Sequence, residues 1–345
     1  MKALCYHGRE DIRYEDFEDA KLVEATDAVV RMDLCAICGS DLHIYHGQGF
    51  SPETGYCVGH EAIGTVVDVG ASMHRIRKGD SVMISGAVGC GACPACLAGE
   101  IVKCHTRGFA CYGLGPDLQG CQAEAIRVPM GDFNLRVIPE GISPEQALML
   151  TDNLPTAHLA CQRADITPGS DVAVVGLGPI GLMAVEIAQV MGAARVFALD
   201  LVAERREAAE SLGAIPVDPE TAMETIFEAT QSRMLSSVVE CVGADASLET
   251  AIRLAGVRGT VSAIGVSQSM DFRFPMALAM ANGLTFRIAL CSVQSHWGEL
   301  IPLVRAGRLR PERFVSHRMD LSDGAEAYRL FDRKDDGALK MVLAP

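Results

Sequence analysis

The sequence predicts an α/β fold in two parts: a β-rich portion, and a doubly wound parallel sheet with helices on its faces. Three observations carry that prediction. The chain has 345 residues, too many for one compact core and suited to about two domains. Short apolar segments separated by turn residues fill the first half, whereas from about residue 154 apolar runs of strand length alternate with helical ones. One of those strand-to-helix junctions is the glycine turn Gly176-Leu-Gly-Pro-Ile-Gly181.

In the first half, Ala28 to Leu34, Gly64 to Val69, Ser81 to Ile84 and Ala123 to Val128 combine β-branched residues with alternation and read as strands. In the second, Asp171 to Val175 is a buried strand and Pro179 to Met191 an apolar helix. Val196 to Leu199 is the next strand and Leu201 to Leu212 the next helix. Val238 to Cys241, Thr260 to Ile264 and Leu284 to Leu290 continue the strands. Strand and helix alternating at this spacing imply parallel pairing through right-handed crossovers. The tail returns to a helix, Trp297 to Ala306, and a last strand, Lys340 to Leu343. The expected division is therefore a discontinuous domain of residues 1–153 and 293–345, with a second domain of residues 154–292 inserted.

A composition that is 49% hydrophobic and 21% charged, without a low-complexity tract, excludes a disordered or fibrous protein. The net charge of −14 is spread along the chain and no basic stripe follows it, which argues against nucleic-acid binding. The most apolar stretch, Val172 to Val190, is broken by glycines and Pro179 and carries Glu186, so no membrane span is expected. The opening MKALCYHGREDIRYED lacks an apolar core of the kind that directs secretion. With thirteen cysteines, this favours a reducing, cytoplasmic location and cysteines that ligate metal rather than form disulfides.

The glycine turn follows a strand, opens a helix, and is succeeded by a strand ending in Asp200, 19 residues past Gly181. That context is what a dinucleotide fingerprint requires. Gly176 and Gly178 allow a tight turn and close approach of backbone to a pyrophosphate, which faces the helix N-terminus at Pro179 and Ile180. Gly181 lets helix and strand pack. Asp200 is placed to accept hydrogen bonds from ribose hydroxyls and to repel a 2′-phosphate, favouring NAD over NADP. Arg205 and Arg206 follow and soften that preference. The alternative is a solvated acid at a helix start.

Cys90, Cys93, Cys96 and Cys104 fall within GCGACPACLAGEIVKC, in a lobe at about residues 88–106. Four soft thiolates from one short loop suit a structural zinc site. An iron–sulfur cluster is the rival occupant, but nothing else in the sequence suggests electron transfer; His105 competes with Cys104 as a ligand. A second set is dispersed: Cys38 in Cys-Gly-Ser40-Asp-Leu-His43, His60 in Gly59-His60-Glu61, and Asp152 in Leu-Thr-Asp-Asn-Leu-Pro-Thr. Three ligands from separate segments give the open pattern of catalytic zinc, with a fourth position for water or substrate.

With Gly59-His60-Glu61-Ala-Ile-Gly64 through Gly70, Lys78-Gly-Asp-Ser-Val82, the cysteine lobe, Gly120-Cys-Gln-Ala-Glu124 and the glycine turn in this order, the chain resembles the zinc-dependent medium-chain alcohol dehydrogenases over essentially its whole length. The resemblance implies a GroES-like catalytic domain and a Rossmann domain. It assigns Cys38, His60 and Asp152 to the catalytic zinc, and Glu61 to a carboxylate that can swing onto the metal. Ser40 is assigned to the hydroxyl taking the alcohol's proton, His43 to the exit path of that proton beside the ribose, and Lys340 to the pyrophosphate. Asp152 in place of a cysteine agrees with the secondary-alcohol and formaldehyde dehydrogenase branches. Two zincs per subunit and a homo-dimer or homo-tetramer paired through a strand such as Leu284 to Leu290 are implied.

The expected reaction is hydride transfer between a small alcohol and NAD, giving an aldehyde or ketone. A polyol or threonine-type dehydrogenase is an alternative, disfavoured because Ser292-Val293 stand where polyol enzymes carry Arg-Tyr. A non-catalytic zinc and NAD-binding protein is the other, disfavoured by the complete proton path. The remaining cysteines, Cys5, Cys35, Cys57, Cys111, Cys121, Cys161, Cys241 and Cys291, are read as buried packing residues. His46 is read as a satisfied polar residue near a loop, and Trp297 as either a pocket cap or a subunit contact.

Overall fold

The computed structural model describes residues 1–345, and two compact units emerge: Met1–Pro155 with Cys291–Pro345, and Thr156–Leu290. The first unit is built on a seven-stranded sheet. In spatial order it runs His317–Asp320, Met341–Ala344, Ala28–Ala36, Glu61–Val69, Ser81–Ile84 and Leu135–Val137, with Ala125–Val128 also paired to Ala28–Ala36. Its central strand alternates as pleating demands: Met32 is buried, while its neighbours Arg31 and Asp33 are exposed. The C-terminal strand pairs antiparallel with it, Val342 opposite Ala36 and Leu343 opposite Cys35, so the chain end completes the N-terminal sheet. A smaller antiparallel sheet joins Asp11–Asp16, Lys2–Gly8 and Tyr56–Cys57.

The second unit is a six-stranded, wholly parallel sheet. Its order is Ile215–Val217, Arg195–Leu199, Asp171–Val175, Leu235–Glu240, Ala255–Ala263, Thr285–Ile288. Strand order reverses beside Asp171–Val175, and ligands of such sheets bind beyond the carboxyl ends of the strands at that reversal. Helices cover both faces, which is why the strands are continuous apolar runs instead of alternating ones: Val172 to Leu177 are buried without interruption. The helix after Asp200 begins at Ala203, two residues later than its sequence suggests, because Asp200 Oδ1 accepts the Val202 amide at 2.9 Å and holds Leu201-Val202 in a turn.

All thirteen cysteines are free thiols. Cys5, Cys35, Cys57, Cys121 and Cys161 are buried packing residues as expected, but Cys111, Cys241 and Cys291 are only partly buried, and the packing reading is corrected for those three. No helix is long and apolar enough to cross a membrane.

Candidate active site

Four chain segments of the first unit converge on one point. Cys38 follows the central strand; His60 and Glu61 begin the neighbouring strand; Asp152 sits in the turn between the helices Pro144–Met149 and Asn153–Arg163; and Lys340 precedes the last strand. The Asp152 turn is fixed from behind by buried Trp297, whose indole N–H donates to the Leu150 carbonyl at 2.8 Å. The structure gives Trp297 an anchoring role.

One ligand atom each from Cys38, His60, Glu61 and Asp152 lies within 4.8 Å of all the others. Cys38 Sγ is 3.6 Å and His60 Nε2 3.8 Å from Asp152 Oδ2. Bonds of about 2.0 to 2.3 Å to a tetrahedral zinc place its ligands some 3.3 to 3.8 Å apart, so this donor set fits a zinc ion. Ser40 Oγ lies 3.3 Å from His60 Nε2. Behind His60, Nδ1 faces Asp41 Oδ1 at 3.1 Å, and the other Asp41 oxygen accepts the Cys38 amide at 2.9 Å. Asp41 thus orients two of the segments at once.

The electrostatics follow from burial. Burial pulls the His60 pKa down, but Asp41, Cys111 and Cys38 outweigh it and raise the value well above normal. Burial raises the Cys38 thiol, and Glu61 and Asp152 add to that, so a metal cation is what would restore a thiolate here. Glu61 is also raised by burial, against the pull of Lys340. Lys340 itself is wholly buried, its ammonium paired with Glu61 Oε2 and donating to the Ile37 carbonyl at 3.0 Å. Both contacts belong to the candidate metal-ligand cluster, because a buried ammonium takes the nearest carboxylate as counter-charge.

The cysteine lobe is equally defined. Cys90 and Cys96 sulfurs are 4.0 Å apart and those of Cys93 and Cys104 3.9 Å, close to the roughly 3.8 Å edge of a zinc–thiolate tetrahedron. Main-chain amides of Cys93, Cys96, His105 and Arg107 point at these sulfurs. Hydrogen bonds from Thr106 and the Ala92 amide lower the Cys90 thiol to about 5. His105 contributes its amide to Cys93 and stands outside the four-sulfur set.

In the parallel-sheet unit, Gly176 has φ +90°, and a Cβ there would lie 2.3 Å from Val242. A Cβ on Gly181 would lie 1.8 Å from the Gly176 carbonyl, so the helix closes onto the turn only as glycine. A Cβ on Gly178, by contrast, would meet nothing within 4 Å: the backbone of the helix cap faces open space, with Pro179 and Ile180 in its first turn. That is the cradle a pyrophosphate needs. Asp200 Oδ2 accepts the Leu177 amide at 2.7 Å, which fixes the carboxylate beside the turn while leaving lone pairs for ribose hydroxyls. Arg205 Nη1 stands 3.9 Å from Asp200, and Arg206 is committed to the Asp200 carbonyl and to Asp218.

Residues 24–139 match the alcohol dehydrogenase GroES-like domain family and residues 179–306 the zinc-binding dehydrogenase family. A probable zinc-binding alcohol dehydrogenase of Mycobacterium tuberculosis is 40% identical over 345 residues, all of this chain and 89% of the relative. The chain belongs to the zinc-dependent alcohol dehydrogenases. An alcohol dehydrogenase of Cupriavidus necator is 32% identical over 372 residues, covering 100% of this chain and 99% of the relative. The solved structure of alcohol dehydrogenase TADH from Thermus sp. ATN1 superposes with a TM-score of 0.93 at 40% identity, covering 100% of this chain and 99% of that one. The dehydrogenase is therefore an oxidoreductase of the medium-chain type, working with zinc and a nicotinamide cofactor on a small-molecule substrate.

Of the other expected site residues of this dehydrogenase, His43 lies on the short helix Asp41–Tyr45, half-buried, its amide bonded to the Ser40 carbonyl. His46 pairs with Asp332 at 2.7 Å, as its bland reading anticipates. Ser292 and Val293 are buried, and Ser292 Oγ accepts the Val102 amide. Sequence reasoning misses two residues of the centre. Asp41 carries a signal, an acid directly after Ser40 in a ligand loop where a histidine ligand needs an orienting carboxylate. Asn153 carries none; only the fold shows its amide nitrogen against Glu61, Asp152 and Cys38.

Proposed function

We propose that this dehydrogenase oxidises a primary or secondary alcohol to the aldehyde or ketone, and catalyses the reverse reduction, with NAD as hydride carrier and two zinc ions per subunit. The observation that carries the reading is the convergence of Cys38, His60 and Asp152 with Ser40 Oγ beside them. When bound, zinc supplies a Lewis acid for the alcohol oxygen and NAD an acceptor for hydride.

The chain's own residues do the rest. Cys38 as thiolate and Asp152 as carboxylate balance the two charges of the ion, with His60 neutral. Asp41 Oδ1 faces His60 Nδ1 at 3.1 Å, which favours the tautomer that leaves Nε2 as the ligand atom. Ser40 Oγ takes the hydroxyl proton of the alcohol, and His43 is the next acceptor along the exit path. Cys90, Cys93, Cys96 and Cys104 hold the structural zinc. Gly176, Gly178, Pro179, Ile180 and Gly181 receive the pyrophosphate. Asp200 selects the free ribose of NAD by repelling a 2′-phosphate, with Arg205 beside it. Residues 1–153 and 293–345 form the catalytic domain and 154–292 the cofactor domain. The edge strand Thr285–Ile288, with its Ile288 and the following Leu290 at 67% and 47% exposure, suits pairing with a second copy in a homo-dimer or homo-tetramer. Thirteen free thiols fit a cytoplasmic enzyme.

The test is metal content per subunit together with reduction of NAD and NADP over short, branched, aromatic and polyol alcohols. About two zincs and NAD-dependent turnover are expected. Asp152→Ala should abolish turnover and leave NAD binding largely intact; surviving turnover would remove Asp152 from the ligand set.

A further inference from the structure

We propose that Asn153 is a positioning residue that latches Glu61 beside the metal position instead of on it, leaving the fourth coordination site to substrate. This rests on the reading of Cys38, His60 and Asp152 as metal ligands. Asn153 opens the helix Asn153–Arg163 and is 2% exposed. Its Nδ2 donates to Glu61 Oε1 at 2.5 Å and to Asp152 Oδ2 at 3.2 Å, and stands 3.8 Å from Cys38 Sγ. A primary amide has two hydrogens, and here both face acceptors of the metal-binding cluster.

Its other end is the contrast. Asn153 Oδ1 is buried with no hydrogen-bond partner, an arrangement that costs stability and that a residue serving only to pack or cap would avoid. The amide is therefore oriented by what its nitrogen does. Both Glu61 oxygens are held: Oε1 by Asn153 and Oε2 by the Lys340 ammonium. The two tethers differ in kind. Lys340 neutralises the Glu61 charge, whereas Asn153 is neutral and only directs it. A Glu61 carboxylate oxygen lies within 4.8 Å of the other ligand atoms, so, once freed from Asn153, it is near enough to take the position that substrate requires.

The experiment uses the full-length enzyme loaded with cobalt(II), whose visible d–d bands report coordination, with the cysteine lobe's contribution taken from Cys38→Ser and subtracted. Asn153→Leu removes the amide at similar volume, and Asn153→Ala removes it without added bulk, should leucine prevent folding. Without substrate, either variant should show an altered d–d spectrum. The KM for alcohol should rise about tenfold, the loss of one charge-assisted hydrogen bond, with kcat at saturation less affected. Adding Glu61→Gln should return both the spectrum and KM toward the Glu61→Gln single variant. Unchanged spectrum and KM, or a change that persists in the double variant, overturns the latch alone. A parent enzyme with no cobalt bands beyond those of the lobe overturns the ligand reading and the latch together.

Discussion

Asp41 shows how one buried carboxylate can organise a cluster of candidate metal ligands without being one of them. One oxygen fixes the Cys38 backbone and the other faces His60. Asp41→Asn keeps the shape but exchanges an acceptor for an amide that competes with the His60 N–H. Metal titration should then show a loss of about 10- to 100-fold in affinity at the catalytic site, with the cysteine lobe unaffected. Candidate ligand groups are legible in the sequence because metal chemistry restricts them to few residue types at close spacing, and the fold brings Cys90, Cys93, Cys96 and Cys104 together. Lys340 and Asn153 are not legible that way. A lysine near a chain end and an asparagine after an aspartate have many uses, and only the meeting of distant segments at Glu61 defines theirs.

At the scale of elements, the paired first residues of two parallel strands form a clamp. Asp171 and Arg195 are register partners, and the guanidinium donates from Nε and Nη2 at 2.7 and 2.6 Å. Hydrogen bonding from Arg195 holds the Asp171 carboxyl below its usual range, burial opposing. A depressed carboxyl contributes stability above its unfolded pKa of about 3.9 and loses it as pH falls through the lower folded value. Asp171→Asn should therefore cost about 0.5 to 1 kcal/mol at neutral pH in denaturant titrations of the metal-free protein. It should also flatten the acid limb of the stability profile below about pH 4.

The strands Asp171–Val175 and Arg195–Leu199 are plain from sequence, since burial on both faces leaves an uninterrupted apolar run. Others are silent. His317–Asp320 offers a single apolar residue, Met319, and sits at the sheet edge. The hairpin of Lys2–Gly8 and Asp11–Asp16 turns through Glu10 at φ +59°, a conformation that glutamate does not advertise.

For the whole molecule, the catalytic unit is made from both ends of the chain, and the parallel-sheet unit from its middle. Deleting residues 340–345 removes one paired strand and the ammonium that balances Glu61. The prediction is loss of catalytic-site metal and turnover, while NAD binding measured by calorimetry, proposed above for the inserted unit, persists. Loss of NAD binding in the same variant would show that the inserted unit depends on the chain end for its own folding.

The position of Lys340 also sets a schedule for synthesis. A ribosome releases the middle unit entire before the last strand exists, so that unit can reach its sheet while translation continues. The catalytic unit waits. Until Lys340 to Ala344 are made, its central sheet lacks that strand and Glu61 lacks its counter-ion. Assembly of the candidate metal centre is thereby reserved for chains made through the strand Met341–Ala344, and one cut short before Lys340 folds in the middle and leaves Glu61 without its counter-ion.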